Sequence, residues 1–539
     1  MRMPELQWLD RITGSITMYR LVLYCLIALF IETELLSFTG VIPQKPLAIL
    51  VSGVVLVAFS YSNWLFALIF RVKPHAESAL ITGLLLLFIF EPVDPTGANA
   101  WFAYLGLAVA AVIAEASKFL LAFRGRHVFN AAAVGAFVVT LITPFGDFAA
   151  WWLASPWLLP VTLVLGFAVL YRTRRLLMAG VFIVAVFFLT FWVYGYGNAG
   201  YSLAQVLALP FVSFSTIFFA AFMLSEPLTL PPRRWQQLVE ALVVAVIFTL
   251  PFSIGLFSTT TPQFALLVGN LLAFVVGQRR GIRLDYLGKE KLTPTSWELS
   301  FRPQRPIRFQ PGQYMELTIP HRRADSRGLR RIFSIASSPS EDGAIRFGLN
   351  TAEQSSSFKT SLLALEPGEI VSATSVGGDF LLPKDTSRPL LFVAGGIGIT
   401  PFMSHLEHLV GTGDTRDVVL VYSASSADEL AYSERLAKLD IPILVVAPTA
   451  PKPLPKHWTY LGPNALDAQA IVSAVPDIAS RNAFVSGPPA FVHSLRQALR
   501  RADAHSVRTD FFTGYTTKVR ARSVAAAPSK EPVSASAPE

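Results

Sequence analysis

The chain has 539 residues, of which 53% are apolar and only 15% charged, with mean hydropathy +0.49 and a formal net charge of +9. That balance excludes an ordinary soluble domain and a disordered chain, and it calls for a region held in lipid. The single cysteine, Cys25, lies in an apolar run, which excludes a disulfide framework and an iron–sulfur cluster held by this chain alone.

In chain order, apolar runs near 19–40, 46–70, 77–91, 99–122, 128–144, 150–171, 176–197, 203–224, 236–256 and 262–277 predict an all-α bundle of ten transmembrane helices over residues 1–278. Several approach the roughly 20 residues that cross hydrocarbon; the third, fifth and tenth are short enough to be tilted, broken or sheltered. No small-residue cleavage pattern follows the first apolar run, so no signal peptide is read. When loops are assigned to alternate sides, one set holds Arg11, Arg71, Lys118, Arg126, Arg172, Arg174, Arg175, Arg233, Arg234 and Arg280, among others, and the other set holds only Lys45. By the positive-inside rule both termini face the cytoplasm, in a multi-pass protein of a bacterial inner membrane. The same placement at span ends accounts for the positive charge without a nucleic-acid partner.

Within the bundle, "LLLLFIFEPVDP" (84–95) echoes "FFAAFMLSEPLTLPP" (218–232), and "FNAAAVGAFVV" (129–139) echoes "FALLVGNLLAFVV" (264–276), with Glu91/Glu226 and Phe129/Phe264 each 135 residues apart. Five spans per half make the halves inverted repeats, an arrangement that brackets a site near the midplane. Glu32, Glu34, Glu91, Glu115, Glu226 and Glu240 lie near span ends and read as carboxylates reaching interfacial water, with a cation or proton route as a suggestion.

From residue 283 the pattern turns to short alternating segments such as "SWELSFRP", "QYMELTI" and "IRFGLNT", strand signals for an antiparallel β-barrel over 283–386. In "RIFS", Arg331 offers a fork for diphosphate, Phe333 a flat apolar face and Ser334 a short hydroxyl. "SSSFKTSL" places Ser356 and Ser357 ahead of a helix, where phosphate is favoured. Over 387–515 the runs "PLLFVAG", "DVVLVYSA", "IPILVVA" and "NAFVSG" alternate with helical stretches, the rhythm of a parallel α/β sheet. Gly395, Gly396 and Gly398 in "VAGGIGITP", with Thr400 and Pro401 opening a helix, and Gly487 in "VSGPPAFV", form two turns at strand ends that define a crevice for a dinucleotide. An Ala/Pro/Ser-rich tail over 522–539 reads as disordered.

Seven segments, "PGQYMEL", "RIFSIAS", "SSFK", "GGDF", "GGIGITP", "SGPPAFV" and "TDFFTGY", make residues 285–515 resemble the ferredoxin–NADP reductase superfamily. The resemblance implies FAD with Arg331 at its diphosphate, Phe333 beside its ring, Ser334 near the ring's reactive nitrogen, and Ser356 and Ser357 at phosphate. It implies NADH or NADPH along Gly395, Gly396, Gly398, Thr400 and the Gly487 turn, and Phe511 or Phe512 at the flavin's other face. Ser486 stands where many members carry cysteine; Ser334 and Ser486 are the hydroxyls expected at the hydride step. "YSASSADEL" (422–430) lacks an arginine for a 2′-phosphate, which favours NADH.

The bundle segments "ALITGLLL", "HVFNAAAVGAF", "FFAAFMLSEPLT" and "FALLVGN" resemble the FMN-carrying membrane components of the Rnf electron-transport complex and of the sodium-translocating NADH:quinone reductase. That resemblance implies a membrane-held flavin and electron transfer through the bundle, with possible cation coupling. The Ser/Asp-Gly-Ala-Thr context of their covalent FMN is missing here, which leaves a non-covalent flavin or a quinone. Only His75 and His127 precede residue 280, so two bis-histidine haems cannot be built and a haem is not expected. No metal site is expected. The chain therefore reads as an NAD(P)H-dependent flavoprotein oxidoreductase delivering electrons to a membrane flavin, a quinone or an extracytoplasmic redox protein. The alternatives are a haem-containing ferric-reductase-like protein, a redox-sensing transporter or receptor, and a cytosolic reductase with a simple anchor.

Overall fold

The computed structural model describes residues 16–511, apart from 73, 75, 124–126, 143–148, 196–199, 255–256, 259–260, 278–280, 322–324, 326–328, 340–342, 352–354 and 464–467. His75, Phe512 and the 522–539 tail lie outside the described residues.

Apolar helices fill the N-terminal part. Five of those described, Met18–Phe38, Pro46–Ile69, Ala100–Leu120, Leu176–Gly195 and Leu203–Leu224, are long and apolar enough to cross a membrane. Ala76–Ile89, Ala131–Leu141, Leu159–Thr173 and Pro262–Val276 are shorter. Two of the long ones are broken, at Tyr61 and at Ser213–Ser215, where Ser215 takes φ 43. The expected span 150–171 differs most. Its helix starts only at Leu159, because Trp151 and Trp152 instead plug the end of Ala76–Ile89. Trp151 N donates to Ile89 O at 2.9 Å and Trp152 Nε1 to Leu87 O at 2.7 Å, while Ser215 Oγ donates to Trp151 O at 2.6 Å. Carbonyls freed by a helix ending inside an apolar bundle need such partners, so the break and the plug depend on each other.

Small residues set how closely the helices pack. A Cβ on Gly135 would lie 2.5 Å from Ala110 O and 2.8 Å from Ala114 Cβ, so Ala131–Leu141 rests directly on the backbone of Ala100–Leu120. Two carboxylates expected at interfacial water are instead fully buried. Glu115 accepts from Asn63 Nδ2 at 2.6 Å and from Lys118 Nζ at 2.7 Å, and Glu240 lies against Gly269 of Pro262–Val276.

Where the sequence predicts a barrel, strands β1 (Ile282–Lys291), β2 (Ser296–Pro303), β3 (Tyr314–Thr318), β4 (Arg330–Ser334), β5 (Ile345–Asn350) and β6 (Ile370–Gly377) form a six-stranded antiparallel sheet. Its order is β4-β3-β6-β1-β2-β5, and a single bridge, Ile335↔Phe347, links its two edges. The second sheet is parallel throughout, built from β7 (Leu390–Gly395), β8 (Val418–Ser423), β9 (Ile443–Val446), β10 (Trp458–Gly462), β11 (Asn482–Gly487) and β12 (Ser506–Phe511). Its order, β10-β9-β8-β7-β11-β12, reverses direction at β7 and opens a crevice beyond the β7 and β11 ends.

An ion network clasps the sheets together. Glu298 on β2, 2% exposed, pairs with Arg435 of the helix Ser433–Leu436 and lies 3.7 Å from Arg346 of β5, which reaches Glu407 of the helix Thr400–Thr412 at 2.6 Å. His405, on that last helix, is fully buried among Phe380, Phe392, Phe402 and Phe484, and its Nε2 donates to Phe380 O at 2.9 Å.

Burial pushes the His405 imidazole down to about 4, so the folded protein holds it neutral where the unfolded chain, near 6.5, would protonate it. Between those values the unfolded state binds more protons, and stability falls as pH falls from about 6.5 through about 4, by about 3 kcal/mol in all. Amide protection factors of β7 and of the Phe380 segment, corrected for the intrinsic slowing of exchange in acid, are expected to fall across that range. His405→Gln, which keeps a donor for Phe380 O, is expected to flatten the acid limb.

Candidate functional site

The two hydroxyls expected at the hydride step sit on either side of one carboxylate. Ser334, 5% exposed at the end of β4, donates from Oγ to Asp510 Oδ2 at 3.1 Å. Asp510 on β12 is also the cross-strand partner of Ser486 at the end of β11. Ser486 is fully buried, and its Oγ has no hydrogen-bond partner among the described residues. A buried hydroxyl left open in this way is costly, and here it borders the crevice. Desolvation holds the Asp510 carboxyl above the usual carboxylate range, while the Ser334 hydrogen bond and the Arg174 guanidinium act against that rise. The sequence motif "TDFFTGY" contains Asp510, but nothing local in it marks the link to Ser334, 176 positions away.

Strand alternation sorts the rest of "RIFS". Phe333 points inward, 8% exposed, stacked on Phe358 at 6.0 Å and tilted against Phe347 at 6.2 Å. Ile332, 59% exposed, is the apolar surface that β4 leaves open. The ring expected as an open face for a flavin is thus largely a core residue, by the period-two rule of a strand. Arg331 is half-buried, its guanidinium 5.2 Å above the Phe358 ring.

The helix Ser357–Leu363 is capped by Ser356 Oγ, which accepts from Lys359 N at 3.2 Å. Its first amide is already engaged. Ser357 N donates to Asp325 Oδ2 at 3.0 Å, Asp325 N donates to Ser357 Oγ at 3.0 Å, and His321 Nε2 lies 2.9 Å from the same Oγ. A carboxylate therefore occupies the position where the sequence suggests phosphate, an arrangement the helix N-terminus favours equally.

The glycine turns meet as expected at the β7 and β11 ends. A Cβ on Gly398 would lie 2.5 Å from Ser486 O and 2.7 Å from Gly487 Cα, and one on Gly395 would lie 3.0 Å from the Phe491 ring. Gly396 takes φ +54 with open space where its side chain would be. Thr400 and Pro401 are buried at the start of the next helix, Thr400 Oγ1 donating to Ile397 O at 3.0 Å, and Thr400 packs against Gly348 of β5. The turn is thus locked to the antiparallel sheet.

One end of the helical bundle meets this site. Arg174 Cζ lies 4.6 Å from the Phe511 ring centroid, and Arg330 Cζ is 6.0 Å from the Tyr19 ring. Arg233 Nη2 donates to Gln310 Oε1 at 3.3 Å, and Arg234 N to Asp379 Oδ2 at 3.3 Å. The basic turns that set topology in the sequence therefore abut the "PGQY", "GGDF" and "TDFF" segments.

Residues 392–497 match the family described as the oxidoreductase NAD-binding domain. With the two sheets and their glycine turns, this makes the C-terminal part a ferredoxin–NADP reductase-like FAD/NAD-binding module. The chain is 34% identical over 173 residues to an NADPH oxidoreductase of Mycobacterium tuberculosis, covering 31% of this chain and 45% of that one. It is 27% identical over 226 residues to the phenol hydroxylase P5 protein of Acinetobacter pittii, covering 40% and 62%. A cytochrome P450 reductase from Amycolatopsis superposes with TM-score 0.38 and 23% identity over 43% of this chain and 70% of its own. The chain thus spans about half the length of the curated relatives it matches.

A side chain at position 398 has nowhere to go except against backbone. Gly398→Val is expected to force the β7 and β11 turns apart, at a cost of roughly 1–3 kcal/mol. The checks are faster amide exchange at both strand ends and nucleotide binding weakened by about tenfold or more in a fluorescence titration.

Proposed function

We propose that the chain is a membrane-bound, NAD(P)H-dependent flavoprotein oxidoreductase that passes electrons from a cytoplasmic nicotinamide nucleotide, through FAD, to an acceptor in or across the membrane. In this reading residues 1–278 are the membrane part, 283–386 hold FAD and 387–515 hold the nucleotide. The observation that carries it is the docking just described: the segments around the expected flavin site rest on the basic turns of an apolar bundle.

The residues present fit the cofactors. At the β7 and β11 ends a Cβ on Gly398 would collide with the Ser486 and Gly487 backbone, Gly396 is open at φ +54, and Ser486 Oγ lacks a partner among the described residues. Arg331 would hold the FAD diphosphate, Ser334 would meet the ring's reactive nitrogen with Asp510 fixing its hydroxyl, and Ile332 supplies open apolar surface beside them. Because Asp325 already takes the Ser357 amide, Ser356 and Ser357 serve phosphate only through their flanks. Bound there, FAD supplies acceptance of an electron pair and its release one electron at a time. The protein's part is placement: the Gly395–Gly398 and Gly487 turns bring the nucleotide's backbone close, the buried Ser486 hydroxyl orients the nicotinamide, and Phe511 closes the far side.

NADH is the proposed donor. The stretch 422–430 after β8 has no lysine or arginine and carries Asp428 and Glu429, which disfavours a 2′-phosphate. For the bundle, we propose the role of electron conductor that its resemblance to the Rnf membrane component implies, with a non-covalent flavin or a quinone as first acceptor. The docked end of the bundle holds a cavity of about 100 Å³, smaller than a flavin ring needs; Tyr19, Lys118, Asn130 and Glu226 are among its lining residues, and Tyr19 is the ring beneath Arg330 of β4.

The purified full chain is expected to contain FAD that NADH bleaches under anaerobic conditions, with NADPH needed at tenfold or higher concentration for the same rate. Arg331→Ala is expected to lower FAD occupancy by about tenfold or more, in line with loss of a charge-assisted contact. Full-length protein without FAD, or with FAD that neither nucleotide reduces, contradicts the proposal.

A further inference from the structure

Arg174 belongs to the bundle, yet its guanidinium meets the reductase's last described residue. It occupies the short junction between Leu159–Thr173 and Leu176–Thr190, with φ 59 and ψ 36, a left-handed conformation that costs a non-glycine residue of order 1 kcal/mol. That turn closes the first helix, Arg174 N bonding to Tyr171 O at 3.2 Å, and it directs two consecutive arginines to different neighbours. Arg175 goes to Gln237 of the neighbouring helix, while Arg174 lies 4.6 Å from the Phe511 ring centroid. Strain kept at a side chain that reaches across to another part of the fold is a reason to look for a task.

The residues within its reach define that task. Phe511 is paired on the sheet with Gly487, and Asp510 with Ser486. Asp510 in turn holds Ser334 Oγ, and Arg174 is among the charges that stabilise the Asp510 carboxylate against desolvation. One guanidinium thus steadies the end of β12, which holds the Ser334 hydroxyl through Asp510 and pairs along the sheet with the strand end that carries Ser486. We propose that Arg174 is a positioning residue supplied by the membrane part: it fixes the Asp510–Phe511 strand end and so completes the reductase's hydride-transfer geometry. The proposal rests on the reductase reading above. Its consequence is that nicotinamide oxidation depends on the bundle being docked, because the cation that steadies this strand end comes from the bundle.

The test is anaerobic stopped-flow reduction of the bound FAD by NADH in the full-length chain, with rates expressed per FAD. Arg174→Ala is expected to retain FAD, to slow the limiting rate by roughly two- to fivefold, the scale of a solvent-exposed cation–π contact, and to leave the half-saturating NADH concentration within about twofold. Arg174→Lys keeps the charge without the planar face and is expected to fall between Arg174→Ala and wild type. Because Arg174 acts through the strand end, Phe511→Leu and Arg174→Ala combined are expected to be no slower than Phe511→Leu alone. A wild-type per-FAD rate in Arg174→Ala overturns the inference, as does full additivity in the double variant. If Arg174→Ala does not fold, Arg174→Lys and the Phe511→Leu/Arg174→Lys pair decide by the same criteria. Wild-type FAD that NADH and NADPH both fail to reduce contradicts the reductase reading itself, a result distinct from either.

Discussion

Docking of two unlike bodies constrains everything else in this chain. A bundle of apolar helices presents basic turns at one end, and a reductase-like module presents Gln310, Asp379 and Phe511 to them. No single contact there is strong: the Arg234–Asp379 ion pair is 3.7 Å long with the arginine 73% exposed, and such a pair contributes little. Register comes instead from the number of contacts and from the stiffness of the turns that carry them. Arg233 and Arg234 open a helix, Arg174 closes one, and Gln310 and Asp379 flank β3 and β6. Phe511, one of these anchors, follows Asp510 directly, so the docking contacts lie next to the Ser334–Asp510 pair of the proposed site.

The interior of each body suits that arrangement. In the module, the Glu298–Arg435–Arg346–Glu407 network and the buried His405 join the two sheets. In the bundle, several buried polar groups are paired with one another. Asn130 N donates to Asn270 Oδ1 at 2.8 Å and Asn130 Nδ2 to Glu226 Oε2 at 2.8 Å, tying the start of Ala131–Leu141 to the middle of Pro262–Val276 and to Glu226 beside the cavity.

Much of this was legible in the sequence where a local pattern carries it. Apolar runs, strand alternation and glycine turns at strand ends are properties of neighbouring residues, and the antiparallel and parallel sheets and the meeting of the Gly395–Gly398 and Gly487 turns follow from them. What the sequence hid is non-local. Asp510 acquires its partner from β4, Asp325 reaches the Ser357 amide from a loop, and Trp151 and Trp152 satisfy carbonyls of a helix some sixty residues earlier. The inward turn of Phe333 was hidden for a different reason: the motif names the residue, but which face of β4 it takes depends on Phe347 and Phe358, which fill the core beside it.

The docked arrangement is open to direct measurement because the chain's only cysteine, Cys25, is buried. Cysteines placed at positions 234 and 379 of the otherwise unchanged chain, in membranes, should be linked rapidly by a short thiol-bridging reagent. A control pair at 234 and 414, with the second position on the far loop between the helix Thr400–Thr412 and β8, should not. Linkage of the first pair alone is the result expected if the reductase rests on the bundle's basic end. Absence of linkage at 234–379, with both thiols accessible to a small probe, would contradict it.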